Sequence, residues 1–448
     1  MKKKFSYILL IVIFFTVSAF VILRYTIHHA RMEQATYPLL HRKDTLGTSA
    51  EWVATRKMAQ QLIDNIKSNP NDVKTSIALS TLYIQEARVT GNYIYYDAAA
   101  LKYINGVLNS QPNNFEALTL KSLLYMSQHH FAEGLQIAEK AQKINPYNAL
   151  IYGILVDGNV EMGNYKAAVE NSDKMNSIRP DLRSYARISY LREIYGDYPG
   201  AIEAMKLAVG AGGAGDEPTE WTRIQLARLY ENTGDLKSAE MHYMIALEER
   251  PGYGYAIAGL GHIAMGNKNY PKAISYYEKA VGSLNDYSIQ EQLSQLYRLN
   301  GNTKKADSLL QKLIEGMNND ATKGEKDDRI GHYADRELAY AYLLNHDYEN
   351  ALKHALIEYH RRPLNIDVNE TVAWVYYKMK EYNKALPYLQ MALKTNSKNP
   401  VLLCNAGLMY AYSGKKELAK STLQEALKND PNIDVDLKAE SENVLKSW

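Results

Sequence analysis

The side chains in this sequence best able to do chemistry are eleven histidines and a single cysteine, and their spacing gives them little to do together. His28–His29 and His129–His130 are adjacent pairs, which point to different sides of a helix and make poor chelators. His354 and His360 lack the i,i+4 spacing that sets two ligands on one helical face. Cys404 is alone, so no disulfide can form within the chain, and it stands where a small apolar filler is wanted. The glycine run around Gly212 lacks the Gly-Lys-Ser or Gly-Lys-Thr ending of a phosphate loop. No grouping of serine, histidine and carboxylate can be assembled either, so no catalysis, metal or cofactor is expected. The chemistry that remains is recognition by shape, aromatic rings and charge.

Recognition needs a scaffold, and the scaffold is legible as a repeat. Ala100, Ala168, Ala201, Ala239, Ala273, Ala306, Ala351, Ala385 and Ala419 return to one slot, with Gly134 in the same slot. The intervals are 33 or 34 residues, apart from one of 38 and one of 45, a period typical of stacked-repeat arrays. A tyrosine precedes the slot by nine residues in Tyr125, Tyr230, Tyr297, Tyr342, Tyr376 and Tyr410, and a proline follows by twelve in Pro146, Pro180, Pro251, Pro363 and Pro431. Two helices fit between these marks. Turns such as Gly163-Asn164-Tyr165 and Gly196-Asp197-Tyr198 end the first, because glycine accepts the left-handed residue that closes a helix. Proline then opens the next unit, since it tolerates a first helical turn but not an interior.

Twelve positions before the slot the residues are again small: Ser122, Ser189, Ala227, Gly261, Ser294, Ala339, Ala373 and Gly407, with Val156 the bulky exception. Small facing small brings the two helices of a hairpin close, while Met205, Tyr243, Tyr277, Leu310, Leu389 and Leu423 fill the space against the next hairpin. Helices this short are marginal alone, so stacking must supply the stability.

The segments Gly-Asp-Tyr-Pro-Gly-Ala-Ile-Glu-Ala-Met at 196–205 and Ala-Ile-Ser-Tyr-Tyr-Glu-Lys-Ala at 273–280 resemble tetratricopeptide repeats. About ten units, one per slot, run from roughly residue 50 to the C-terminus. More narrowly, Tyr185–Ala264 with Gln85-Glu86-Ala87-Arg88-Val89-Thr90 resembles bacterial tetratricopeptide proteins that often carry an N-terminal membrane segment. The resemblance implies an all-α, right-handed superhelix whose first helices line a concave groove. On that reading the groove holds Trp221, Arg228 and Glu231, then Tyr255, His262 and Met265. Glu291, Gln295 and Arg298 follow, then Tyr333, Arg336 and Tyr340, and finally Asp367, Glu370, Trp374 and Tyr377. Rings and arginines of this kind anchor extended protein or peptide segments, and stacking of the same rings on sugars is the alternative. Gly134 in the alanine slot, Glu358 seven residues after Ala351, and Arg192 and Asn159 in the tyrosine slot depart from the pattern, so those units are bent or use the slot for a contact.

Net charge is +2, from 52 basic and 50 acidic residues, which argues against nucleic acid as a partner. Met1-Lys2-Lys3-Lys4 precedes an apolar run from Phe5 to Leu23, 19 residues and just enough for a bilayer core of about 30 Å. Residues 1–23 therefore read as a signal anchor with the repeats outside the cytoplasm, in a cell inner membrane. Cleavage near Ala19, after Val17-Ser18, is the alternative and would release the repeats to the periplasm. Residues 24–49 read as a polar linker, 50–432 as the array and 433–448 as a capping helix, with the first helix beginning near Ser49. The period breaks near 209–218 and 315–330, where a glycine-rich turn and the polar stretch Asn318–Asp328 read as inserted loops.

Overall fold

The repeated alanine is where each hairpin closes. In the computed structural model, which describes residues 37–326, 332–429 and 432–448 together with 11, 13–20, 23 and 24, the nine slot alanines are all 0% exposed. Close approach is reinforced by a hydrogen bond across the hairpin: Ser122 Oγ donates to the Gly134 carbonyl at 2.6 Å, Ser189 to Ala201 at 2.7 Å and Ser294 to Ala306 at 2.9 Å. A serine here satisfies its own hydroxyl inside the interface while taking no more room than alanine plus one atom.

Among the described residues ten hairpins follow one another. They are α2/α3 (Val73–Thr90, Tyr93–Ser110), α4/α5 (Phe115–Ser127, Phe131–Ile144), α6/α7 (Ala149–Glu161, Tyr165–Ile178), α8/α9 (Leu182–Ile194, Tyr198–Gly210) and α10/α11 (Glu217–Asn232, Leu236–Glu249). Then come α12/α13 (Gly254–Gly266, Tyr270–Ser283), α14/α15 (Tyr287–Leu299, Thr303–Lys326), α16/α17 (Asp335–Leu344, Tyr348–Arg361), α18/α19 (Ile366–Lys378, Tyr382–Ala392) and α20/α21 (Pro400–Tyr412, Lys416–Ala426). A lone helix stands at each end, α1 (Ala50–Ser68) in front and α22 (Val435–Lys446) behind. Ser49 caps α1, and Asn114, Asn148, Asp181, Asn365 and Asn399 cap first helices by accepting backbone N–H groups. Every hairpin turn contains one left-handed residue, glycine in six and His129, Lys268, His346 or Lys380 in the others.

The apolar interior is a chain of local clusters, from one around Tyr83, Tyr96 and Ile104 to one around Leu389, Met409 and Leu423. First helices of consecutive hairpins touch one another while second helices spread apart, so the stack curves with the first helices inside. The curvature is tight enough that the chain meets itself about one superhelical turn later. Thr45 Oγ1 donates to the Pro251 carbonyl at 3.2 Å, across 206 positions of sequence, and Ile366 N–H donates to Tyr165 Oη at 2.9 Å, across 201.

Two expectations change. Residues 37–48, assigned to a polar linker, are packed: Tyr37, Leu39 and Leu40 lie on the first cluster, and buried Arg42 pairs with Glu86 and with Glu51 at 2.8 Å. The insertion expected as a loop is helical, because α15 runs on through Lys326 with Asn318 bonded to the Ile314 carbonyl and to Tyr342 Oη. Asp327 and Asp328, which end that stretch, lie outside the described residues. Of the apolar run 5–23, residues 13–20 are helical, Ile11 and Leu23 are described, and the rest lies outside the described residues, as do residues 25–36 of the linker. Among the described residues no helix is long and apolar enough to cross a membrane. The glycine-rich segment is a turn between α9 and α10, and α22 packs on α20.

Candidate functional site

Two surfaces carry the polar chemistry of the array: the seam where superhelical turns meet, and the inner wall built by first helices. The seam repeats one pattern. The turn inside a hairpin meets the loop between two hairpins one superhelical turn further on. Asn285 N–H donates to the Thr90 carbonyl at 3.2 Å, and Tyr333 N–H donates to the Gln128 carbonyl at 3.1 Å. Asn365 Nδ2 donates to the Glu161 carbonyl at 3.0 Å, and Lys394 Nζ to the Gly163 carbonyl at 3.3 Å. Ion pairs add to this: Arg250 with Glu51 at 2.7 Å, and Arg362 with both Glu161 and buried Glu358. His129 and His130 belong to this seam, His129 Nδ1 donating to the Tyr333 carbonyl at 3.0 Å and His130 stacking on the Tyr333 ring at 4.0 Å.

Several residues expected in the groove prove to be seam or hairpin residues. Glu231 is buried and accepts from Tyr243 Oη, His262 Nδ1 and, across 201 positions, Asn432 Nδ2. Burial would raise its pKa, but His262, Tyr243 and Asn432 more than offset that and hold it below the usual carboxylate range. Tyr377 is buried and donates to Glu440 of the capping helix at 2.6 Å. Tyr333 is sandwiched between His130 and Arg361, whose guanidinium lies 3.9 Å from the ring centre. Arg298 reaches out of the wall to Asp307 on the second helix of its own hairpin. Neighbouring polar partners claim all four.

His262 is held at the same seam contact by Glu231 and Asn432, and Met265 is buried among its neighbours; the others lie on first helices. Trp221 and Tyr255 meet edge to face at 4.9 Å, and Tyr255 Oη donates to Asp286 at 3.2 Å. Trp374 stacks on Tyr377 at 4.8 Å and lies under the Lys378 ammonium at 4.4 Å. Arg228 is exposed. Arg336 leans over Tyr340 and donates to Thr371 at 3.3 Å; burial works against its charge, yet Asp367, Tyr340, Glu337 and Glu370 around it raise its pKa. The wall is rich in acids. Burial pushes Glu291 up to about 7, with Glu337 adding to the effect, and pushes Glu370 up to about 7, with Asp367 adding to it. Glu193 rises to about 6, again through burial, although Arg228 opposes the shift. Sequence reasoning did not name Glu193 or Glu161; Glu193 stands eight residues before Ala201, the groove position that Glu231 holds before Ala239, whereas Glu161 lies one residue past that position in its helix.

A cavity of about 270 Å³ opens where the first two hairpins face the fifth and sixth, lined by Arg88, Asp97, Met126, Glu217, Trp221 and Tyr255 among others. Arg88 is bonded to Glu217 at 3.1 Å, and Glu217 also accepts from Tyr253 Oη at 3.3 Å.

Comparison with known proteins agrees with the architecture. Models of the tetratricopeptide repeat match residues 224–288 and 401–433, which cover α10 to the start of α14 and α20 to α21. No curated protein matches the chain. Among solved structures, a tetratricopeptide repeat protein from Parabacteroides merdae is 18% identical, covering 59% of this chain and 97% of its own, with a TM-score of 0.33. The APC/C hetero-tetramer Cut9-Hcn1 is 16% identical over 92% of this chain and 78% of its own, TM-score 0.36. The human IFIT1 dimer with m7Gppp-AAAA is 15% identical over 77% and 95%, TM-score 0.42. Fold and repeat together define a class: an α-helical solenoid containing tetratricopeptide repeats, modules that generally mediate protein–protein interaction. The likeness to the solved structures says nothing of this chain's partner.

Proposed function

We propose that the chain is a non-catalytic scaffold, tethered to a cell inner membrane through residues 5–23 with its repeats outside the cytoplasm, that binds an extended segment of a partner protein along the inner wall. One observation supports this most. The seam is made by turns and loops, so closing the superhelix consumes the ends of the hairpins and leaves Arg228, Tyr255, Arg336, Tyr340, Glu370 and Trp374, on the first helices, outside it. Aromatic and charged groups held on rigid helices lose little entropy when they engage a partner. Of the two recognition modes, protein is favoured over sugar because Trp374 is already engaged by Tyr377 and Lys378.

The test is crosslinking in intact envelopes followed by mass spectrometry, combined with alanine substitution of Trp221, Tyr340 and Trp374. Crosslinks to one protein from lysines near the wall, lost on substitution while the melting temperature holds, support the reading. Loss of folding with unchanged capture assigns those rings to the core instead. Protease protection of the repeats in whole cells checks their side of the membrane.

A further inference from the structure

Asp97 sits in α3 at 2% exposure, on the wall of the cavity between the two superhelical turns. Among the described residues, its hydrogen bond comes from Ser127 Oγ at 3.3 Å. Among the described residues no basic side chain is paired with it, because the cation sharing the cavity, Arg88, is held in a two-point contact by Glu217. Tyr93, Tyr253, Tyr255 and Asp286 are the other titratable groups around the space, and they supply no positive charge. Burial accordingly pushes the Asp97 carboxyl up to about 8, with the Ser127 hydroxyl opposing the shift. A buried acid without a counter-ion is costly to keep unless something outside the chain pairs with it.

The remaining walls show what that something is. Trp221 and Tyr255 form an aromatic corner, and Met126, Leu123, Leu124 and Ile84 make the apolar part. An acid beside aromatic faces and a short apolar sleeve matches an ammonium on an alkyl stem: the charge pairs with the carboxylate and lies against the rings, and the stem fills the sleeve. We propose that this inter-turn cavity is a binding site for a primary alkylammonium, with Asp97 as its counter-ion and Trp221 and Tyr255 as its aromatic wall. The site does not depend on the identity, or the existence, of a protein partner along the rest of the wall. Binding draws the proton off Asp97, so at pH 7 the complex forms with release of nearly one proton. The ammonium comes either from a free amine or from a lysine side chain; the two share this chemistry.

Calorimetric titration of the full-length chain in detergent with n-butylamine, 1-butanol and sodium butyrate tests the assignment, repeated in two buffers of different ionisation enthalpy to count protons. Butylamine is expected to bind at least tenfold more tightly than butanol, with proton release near one, and Asp97→Asn to reduce it to the butanol level. Trp221→Leu is expected to weaken it severalfold with an unchanged circular dichroism spectrum. Binding of Nα-acetyl-lysine methylamide above butylamine traces the ammonium to lysine; the reverse order traces it to a free amine. Equal affinity for butylamine and butanol, preference for butyrate, or undiminished butylamine binding by Asp97→Asn overturns the proposal. The comparison of amine with alcohol and the proton count need no variant, so a folding defect cannot mask the answer.

Discussion

Gly163 and Gly414 occupy the same place in their hairpins, with φ of 77° and 76°, and replacing each with alanine separates the seam from the local turn. Both substitutions force a side chain into the left-handed region, at a cost of about 1–2 kcal/mol each. Beyond that the two sites differ. A Cβ on Gly414 meets nothing within 4 Å, whereas one on Gly163 would lie 2.3 Å from the Leu364 carbonyl oxygen and 2.4 Å from its carbon, atoms of the next superhelical turn. No rotamer change can relieve contact with backbone, so either the seam opens or strain of about 1–3 kcal/mol accumulates. Opening would forfeit hydrogen bonds around Lys394, Asn365 and Ile366, each worth about 1 kcal/mol net. Gly414→Ala is therefore expected to destabilise by about 1–2 kcal/mol and Gly163→Ala by about 3–5 kcal/mol. Urea unfolding of the detergent-solubilised chain gives the energies, and hydrogen exchange across residues 362–366 reports the seam directly. Equal destabilisation of the two variants, with exchange at Ile366 unchanged in Gly163→Ala, refutes the seam as a stabilising contact.

Other substitutions probe the same architecture. Glu358→Ala leaves buried Arg362 facing Glu161 alone and should cost about 3–5 kcal/mol by urea unfolding, well above an exposed ion pair such as Lys166–Glu170. Lys380→Gly removes a left-handed lysine, φ 62°, from a turn where no other contact needs that side chain, and should raise stability by about 0.5–1 kcal/mol. Asp97, Glu291 and Glu370 have folded pKa values above their unfolded ones, so the native state holds protons that the unfolded chain has lost. Stability should then decline as pH rises from about 4, where the unfolded carboxyls ionise, to about 8. Melting temperatures measured across that window should flatten in Asp97→Asn and Glu370→Gln; a melting temperature that climbs from pH 5 to pH 8 contradicts the assignment.

The hairpins were readable in the sequence because each is local. A slot alanine and its small partner twelve residues earlier lie in one hairpin, and the burial of all nine alanines follows from that spacing. The seam was not readable, because it joins residues about 200 apart and depends on the summed rotation of several hairpins, a quantity that no single unit encodes. Signals for it existed as departures from the pattern. Glu358, standing where a small apolar residue belongs, is the residue that holds Arg362 against Glu161, and His129, standing where a turn glycine belongs, bonds to Tyr333 across the seam. Of the residues read as facing the groove, Glu231 and Tyr377 are claimed by partners 201 and 63 positions away. Helical periodicity assigns a face; it cannot say which distant segment will cover that face.

Seam and wall pull stability in opposite directions, and the balance bears on function. At the seam Glu51 and Glu231 are held below their usual range by arginine, histidine and hydroxyl partners despite burial, whereas burial raises Glu161 even beside Arg362. On the wall and in the cavity, Asp97, Glu291 and Glu370 are raised by burial that their few partners fail to offset, while Glu337 is held low despite burial by His129, His332 and Arg336. Neutral residues of the same size would make the wall more stable, as isosteric amides lose no charge on burial. Asp97, Glu291 and Glu370 thus stand uncompensated, and a cation that paired with any of them would recover energy which the unpaired acid forgoes.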